Sequence, residues 1–131
     1  MGGEFWEKGK QYLFDPVRIQ YYVTTGFDCS NNLCSNDLAL SQLSFLSGKG
    51  ISYYAVSAQD VKRISKQYLL KEYDVIDQNY CVVEVFRYNP KLLSNSNHID
   101  VISLYAQFKH SRDERVQIEI ERLVNKVLVS W

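Results

Sequence analysis

The chain has 131 residues and no net charge, with 15 Lys plus Arg balanced by 15 Asp plus Glu. That balance argues against a whole-surface nucleic-acid binder or a polybasic membrane binder, since both draw affinity from excess cations. Apolar residues make up 46% of the chain, which at this length supports one core without a disulfide or metal staple.

No stretch approaches the roughly 20 apolar residues that span a bilayer. The start, Met1-Gly2-Gly3-Glu4-Phe5-Trp6, lacks the basic region and apolar run of a signal peptide. Trp6 stands where an acylation motif wants Ser or Thr. Met1 is the only methionine, so residues 1–3 read as an appended start and the natural protein is expected to be longer. The three cysteines are an odd number and fit a reducing, cytoplasmic setting. With no repeat and no linker, one domain is expected over residues 4–131.

Glu4 to Leu13 reads as a short helix, ended by Asp15-Pro16 because the residue before proline avoids helical geometry. Val17 to Thr25 is rich in β-branched and aromatic residues and reads as a strand, with Val17, Ile19, Tyr21 and Val23 alternating onto one face. A polar loop follows from Asp28 to Asp37. Ser35 or Asn36 caps a helix running to Ser47, with Asp37 in its first turn and Gly48 as its stop. Its apolar residues lie on most sides, which predicts deep burial. Ile51 to Ser57 is a second strand. Ala58 to Gln67 is a helix with Val61 and Ile64 inward and Lys62, Arg63 and Lys66 outward. Tyr68 to Val75 and Tyr80 to Tyr88 read as a hairpin turned at Asp77-Gln78-Asn79. Asp100 caps a helix from Val101 to about His110. Ser111-Arg112-Asp113-Glu114 matches a capping box ahead of a last helix. The expected fold is α+β: a small mixed or antiparallel sheet of about four strands, covered by helices, with two C-terminal helices.

Candidate chemistry is sparse. Cys29, Cys34, Cys81 and His98 together carry the residue types of a zinc site, but Cys81 sits in an apolar strand, where Cys acts as a small hydrophobe. Neither His98 nor His110 adjoins a nucleophile turn. Glu72, Asp74, Asp77 and Glu84 form an acidic hairpin of the kind that holds divalent ions in nucleases and nucleotidyl transferases; edge charge is the plainer reading. Lys62, Arg63 and Lys66 put a basic helix before that hairpin, as in a winged helix-turn-helix, but a strand intervenes ahead of it. The ten tyrosines include the pairs Tyr21-Tyr22 and Tyr53-Tyr54, where one ring of each faces the core and the other faces away. Aromatic residues are enriched at interfaces. Tyr22 and Tyr54, with Asp28 and Asp37 from the loop, are therefore the candidate partner or ligand surface. No cofactor, catalytic residue or metal ligand is assigned.

Three stretches carry a resemblance: Glu84-Val85-Phe86-Arg87-Tyr88-Asn89-Pro90-Lys91-Leu92-Leu93, Ile99-Asp100-Val101-Ile102-Ser103-Leu104-Tyr105, and Asp113-Glu114-Arg115-Val116-Gln117-Ile118. They resemble a bacterial C-terminal domain that follows an N-terminal winged helix-turn-helix in proteins labelled MarR-type transcriptional regulators. The arrangement is also similar to that of AbiEi-type antitoxins. Looser matches run through Phe5-Trp6-Glu7-Lys8, Asp15-Pro16-Val17, Leu38-Ala39-Leu40 and Ile51 to Val56. Val101 departs from a proline in that pattern, and Cys34-Ser35-Asn36-Asp37 departs from a Gly-Glu-Ser-Ala-like helix start. The resemblance implies a non-catalytic regulatory or partner-binding domain. Expected partners are a second copy of the chain or an unidentified ligand or protein, with DNA contacted only by a part outside the chain. The alternatives are a small metal-dependent nuclease or nucleotidyl transferase relative using Glu72, Asp74 and Glu84, and direct DNA binding through Lys62, Arg63 and Lys66.

Overall fold

A computed structural model describes residues 2–23, 27, 31–48, 50–72 and 79–129. Helix α1 (Gly2–Gly9) runs into a 3-10 turn at Lys10–Tyr12. Strands β1 (Val17–Val23) and β2 (Leu33–Cys34) precede α2 (Asn36–Leu43). Then come β3 (Ser52–Val56), α3 (Ala58–Ile64) and β4 (Cys81–Phe86). Helices α4 (Val101–Phe108) and α5 (Glu114–Val129) close the chain. The fold is α+β, with a four-stranded mixed sheet in the order β1-β4-β3-β2.

The hairpin expected at 68–88 is not formed as such. Strand β4 pairs antiparallel with β1 and parallel with β3. Of the expected partner strand, Lys71 makes only a bridge to Tyr22, and residues 73–78 lie outside the described residues. The local turn chemistry at Asp77-Gln78-Asn79 competes with a non-local outcome. Strand β3, helix α3 and strand β4 form a β-α-β unit, whose parallel strands need a crossover rather than a tight turn.

Central β4 explains the apolar run of its sequence. Val82 to Phe86 are all buried, because both faces of the sheet are covered. On one face Val23, Val56, Val83 and Val85 pack with Ile64 of α3, Tyr21, Phe27 and Tyr68. On the other, Ala55 and Phe86 pack with Leu40 of α2, Leu104 and Tyr105 of α4, and Ile120 and Val124 of α5. Trp6 of α1 joins this side, its ring edge-on to Tyr105 at 4.6 Å.

Three local expectations change. A register shift between Val17 and Ile19 puts Val17 on the Phe86 side while Ile19 packs with the α3 cluster, so the four residues do not share one face. Helix α2 stops at Leu43, well before Gly48. Only Ala39 and Leu40 of it are buried, and Phe45 just beyond it is 91% exposed, so the helix is half-buried rather than enclosed. Helix α5 is capped by Asp113, whose Oδ1 accepts the Arg115 N–H at 2.9 Å; Ser111 Oγ accepts from Asp113 N at 3.3 Å, so the expected box is not what starts the helix. Asp100 does cap α4, accepting from Ser103 N at 3.0 Å.

Candidate functional site

Glu84 sits in the middle of β4 and is 0% exposed. An ionised carboxylate in an apolar interior is costly unless its acceptor sites are filled. Here they are. Oε1 accepts from Ser35 Oγ at 2.5 Å and Gln107 Nε2 at 2.8 Å. Oε2 accepts from Gln20 Nε2 at 2.7 Å and Asn36 Nδ2 at 3.0 Å. The four donors come from β1, the turn into α2, α2 itself and α4.

The backbone sets each donor. Gln20 is directly opposite Glu84 in the β1–β4 ladder, and Ala55 lies opposite on the other side, its small side chain leaving room. Ser35 is fixed by its N–H to the Tyr53 carbonyl at 3.0 Å. It occupies the cap position of α2 but makes no side-chain cap bond; its hydroxyl donates to Glu84 instead. Asn36 has φ 52, a left-handed conformation that Asn tolerates better than most residues. Its Oδ1 accepts from Asp37 N at 2.8 Å, which turns its Nδ2 toward Glu84. Gln107 Oε1 accepts from Asn36 N at 2.8 Å, which likewise turns its Nε2 toward Glu84. Both amide orientations therefore follow from their hydrogen bonds.

None of the ion pairs among the described residues includes Glu84. One side of the network opens to a cavity of about 320 Å³ lined by Asp15, Arg18, Gln20, Asn36, Glu84 and Gln107 among others. Asp15 Oδ1 accepts from Val17 N at 2.9 Å.

The expected surface residues separate. Tyr22 is opposite Val82 and so lies on the Glu84 face, whereas Tyr54 is opposite Val83 and meets Phe27 at 5.7 Å on the α3 face. The two tyrosines therefore do not form one surface. Asp37 is in the first turn of α2, on the Tyr22 side, and its charge reaches Tyr53. Asp28 lies outside the described residues.

The acidic hairpin also comes apart. Glu72 is exposed and Glu84 is enclosed; Asp74 and Asp77 lie outside the described residues. Of the zinc set, Cys29 lies outside them, Cys34 packs with the helix-side cluster and Cys81 with the α3-side cluster. His98 Nδ1 is 3.0 Å from the Ile99 carbonyl, and His110 is exposed past the end of α4. Among the described residues no group of three or more His, Cys, Asp or Glu is placed to hold a metal ion. Lys62, Arg63 and Lys66 are all exposed, with Arg63 3.6 Å from Asp60.

The Glu84 network was missed in the sequence apart from Glu84 itself. Its signal is a single acidic residue inside Cys81-Val82-Val83-Glu84-Val85-Phe86, since a buried charge must gather partners. Which partners it gathers depends on non-local pairing.

Three tyrosines ionise above the ordinary phenol range, chiefly because burial disfavours phenolate. For Tyr53, Glu84 and Asp37 add to that effect; for Tyr88 a hydrogen bond with Ser103 opposes it; for Tyr105 the Lys10 charge opposes it. Unfolded tyrosines lose their protons near pH 10, while these stay protonated in the fold. The unfolded state then holds fewer protons, so stability is expected to fall as pH rises above about 10. Phenolate absorbance should show a late-titrating group in the folded chain that merges with the rest in denaturant. Ten tyrosines titrating together in the folded chain contradict this.

No family model, curated protein or solved structure matches the chain. No helix among the described residues is long and apolar enough to cross a membrane.

Proposed function

We propose that this chain is a non-catalytic binding domain, the regulatory part of a cytoplasmic bacterial DNA-binding regulator whose winged helix lies outside it. The observation that carries the reading is the saturation of Glu84. A carboxylate with both oxygens doubly occupied by neutral donors has no open lone pair with which to ligate a metal. It is a fixed wall, and the cavity beside it offers amide groups that orient a bound molecule without transforming it. The regulator part of the reading rests on the resemblance of residues 84–93, 99–105 and 113–118, together with the zero net charge, which leaves DNA affinity to another part of the protein.

A second reading, direct DNA contact by Lys62, Arg63 and Lys66, has their exposure in its favour. The two are separated by titrating DNA from upstream of the gene, at two salt concentrations, with the complete gene product and with this chain. The proposal expects only the complete product to bind, with affinity falling steeply in salt. Binding by this chain alone, abolished by alanine at the three basic positions, overturns it. Light scattering on the same samples reports whether this chain supplies a homodimer contact.

A further inference from the structure

A cleft that shares no residue with the cavity beside Glu84 opens between the chain ahead of β1 and helix α4. Leu13 has extended backbone and packs against the helix-side core. Side chains alternate along extended chain, so its neighbours Tyr12 and Phe14 point outward. Leu92 and Leu93 stand at the end of a 3-10 turn, Pro90–Leu92. These four side chains are between 59% and 79% exposed. Tyr12, Phe14 and Leu93, with the Tyr88 ring, line a cleft of about 230 Å³. Buried Ser103 and Ala106 of α4 lie at its base, and a hydrogen bond with Ser103 holds Tyr88 in place.

Size, charge and shape say what covers this face. The three rings and two leucines leave about 600 Å² of mostly apolar surface in water. Contiguous apolar patches of that size mark interaction sites, and a standard interface takes roughly 800 Å² from each partner. Asp100, which also lines the cleft, caps α4 with Oδ2, and its Oδ1 is buried, so it offers the cleft no open charge. The edge carries both signs: Arg87 Nε donates to the Asp15 carbonyl at 3.3 Å, and Lys109 Nζ donates to the Leu13 carbonyl. Such an edge selects neither a polyanion nor a polycation, and a chain with no net charge does not repel its own copy. The face also carries its own knob. A cavity of roughly 150 Å³ already holds benzene, so this cleft has room for one phenyl ring. Phe14 presents such a ring at the cleft's edge. In a two-fold pair residue i meets j while j meets i, so each copy's knob reaches the other's cleft.

We propose that this face joins two copies of the chain, with the Phe14 ring of each seated in the other's cleft against Tyr88 and Leu93. The pairing goes beyond the binding-domain reading and uses a different face from Glu84. A foreign apolar segment is the poorer fit. It fills the cleft but need not cover the exposed rings beside it, whereas a second copy covers knob and cleft together.

The test is sedimentation equilibrium of the chain at concentrations up to about 1 mM, where even a weak pair is populated. A mass of two copies is expected. In a mixture of isotope-labelled and unlabelled chains, NMR should show contacts between the Phe14 ring of one copy and the Ala106 and Ile102 methyls of the other. Phe14→Asp and Leu93→Asp each place a charge in the apolar contact and should weaken pairing at least about tenfold. Both positions are exposed, so the monomer fold is expected to survive, and unchanged resonances of the α3-side cluster check this. Phe45→Asp, at an exposed ring that does not line the cleft, should leave pairing unchanged. A monomer at the highest concentration overturns the proposal and gives the cleft to a different partner. A dimer that both cleft variants leave intact places the contact elsewhere and overturns it too. None of these variants touches the Glu84 network, and the DNA comparison alone decides the regulator reading.

Discussion

Replacing Glu84 by alanine is expected to destabilise the fold by about 3–5 kcal/mol. The carboxylate accepts from Gln20, Ser35, Asn36 and Gln107, so its removal strands four donors at once. Each stranded donor costs roughly 1–3 kcal/mol where water cannot reach it. Ser35 is fully buried and bears the full penalty. Gln20, Asn36 and Gln107 border the cavity, where water offsets part of theirs. Glu84→Gln keeps the shape but not the pattern. Its amide nitrogen must face two donors whichever way it turns, so a smaller loss is expected. Urea unfolding at constant m-value measures both changes. A loss below about 1 kcal/mol for Glu84→Ala means that the network does not tie its four segments together.

Phe86→Ala tests the apolar half of the same strand. Phe86 is 2% exposed and lies two residues from Glu84, on the same face. It packs in the cluster built by Leu104, Ile120 and Val124, with the Tyr88 ring edge-on at 5.6 Å. Truncation removes most of an aromatic side chain and leaves a cavity where strand and helices meet, for an expected loss of about 3–5 kcal/mol. Ile118→Ala is the control. That side chain is 66% exposed on α5, and a change within about 0.5 kcal/mol is expected. Comparable losses for the two variants contradict the placement of the core.

Glu84 and Phe86 also show what the sequence makes legible. The strand containing both was visible, because Cys81 to Phe86 is an apolar run that suits a strand buried on both faces. Its neighbours were not. Alternation and turn residues report local pairing, and here they favoured a hairpin with residues 68–75. The pairing that formed is non-local, to β1 on one side and, through the α3 crossover, to β3 on the other. The start of α4 at Asp100 was legible because it depends on one side chain and one turn. The early end of α2 was not, because the chain turns extended at Ser44, where neither a glycine nor a proline marks a stop.

The same distinction explains the site. Tyr22 and Tyr54 both looked like surface candidates from alternation alone. Only the register, which sets Tyr22 beside Val82 and Tyr54 beside Val83, shows that they face opposite ways. The donors to Glu84 are separated from it by 64, 49, 48 and 23 residues. No motif of contiguous residues can carry that arrangement. A sequence shows that the charge needs partners, and the topology decides which ones it finds.

The hold of four neutral side chains on the Glu84 carboxylate ties β1, the turn into α2, α2 and α4 to β4. Its most direct test is hydrogen exchange of the side-chain amides of Gln20, Asn36 and Gln107, followed by NMR in the intact chain. Slow exchange is expected for all three, with loss of that protection together in Glu84→Ala. Exchange at the rate of free Asn and Gln amides in the intact chain contradicts it.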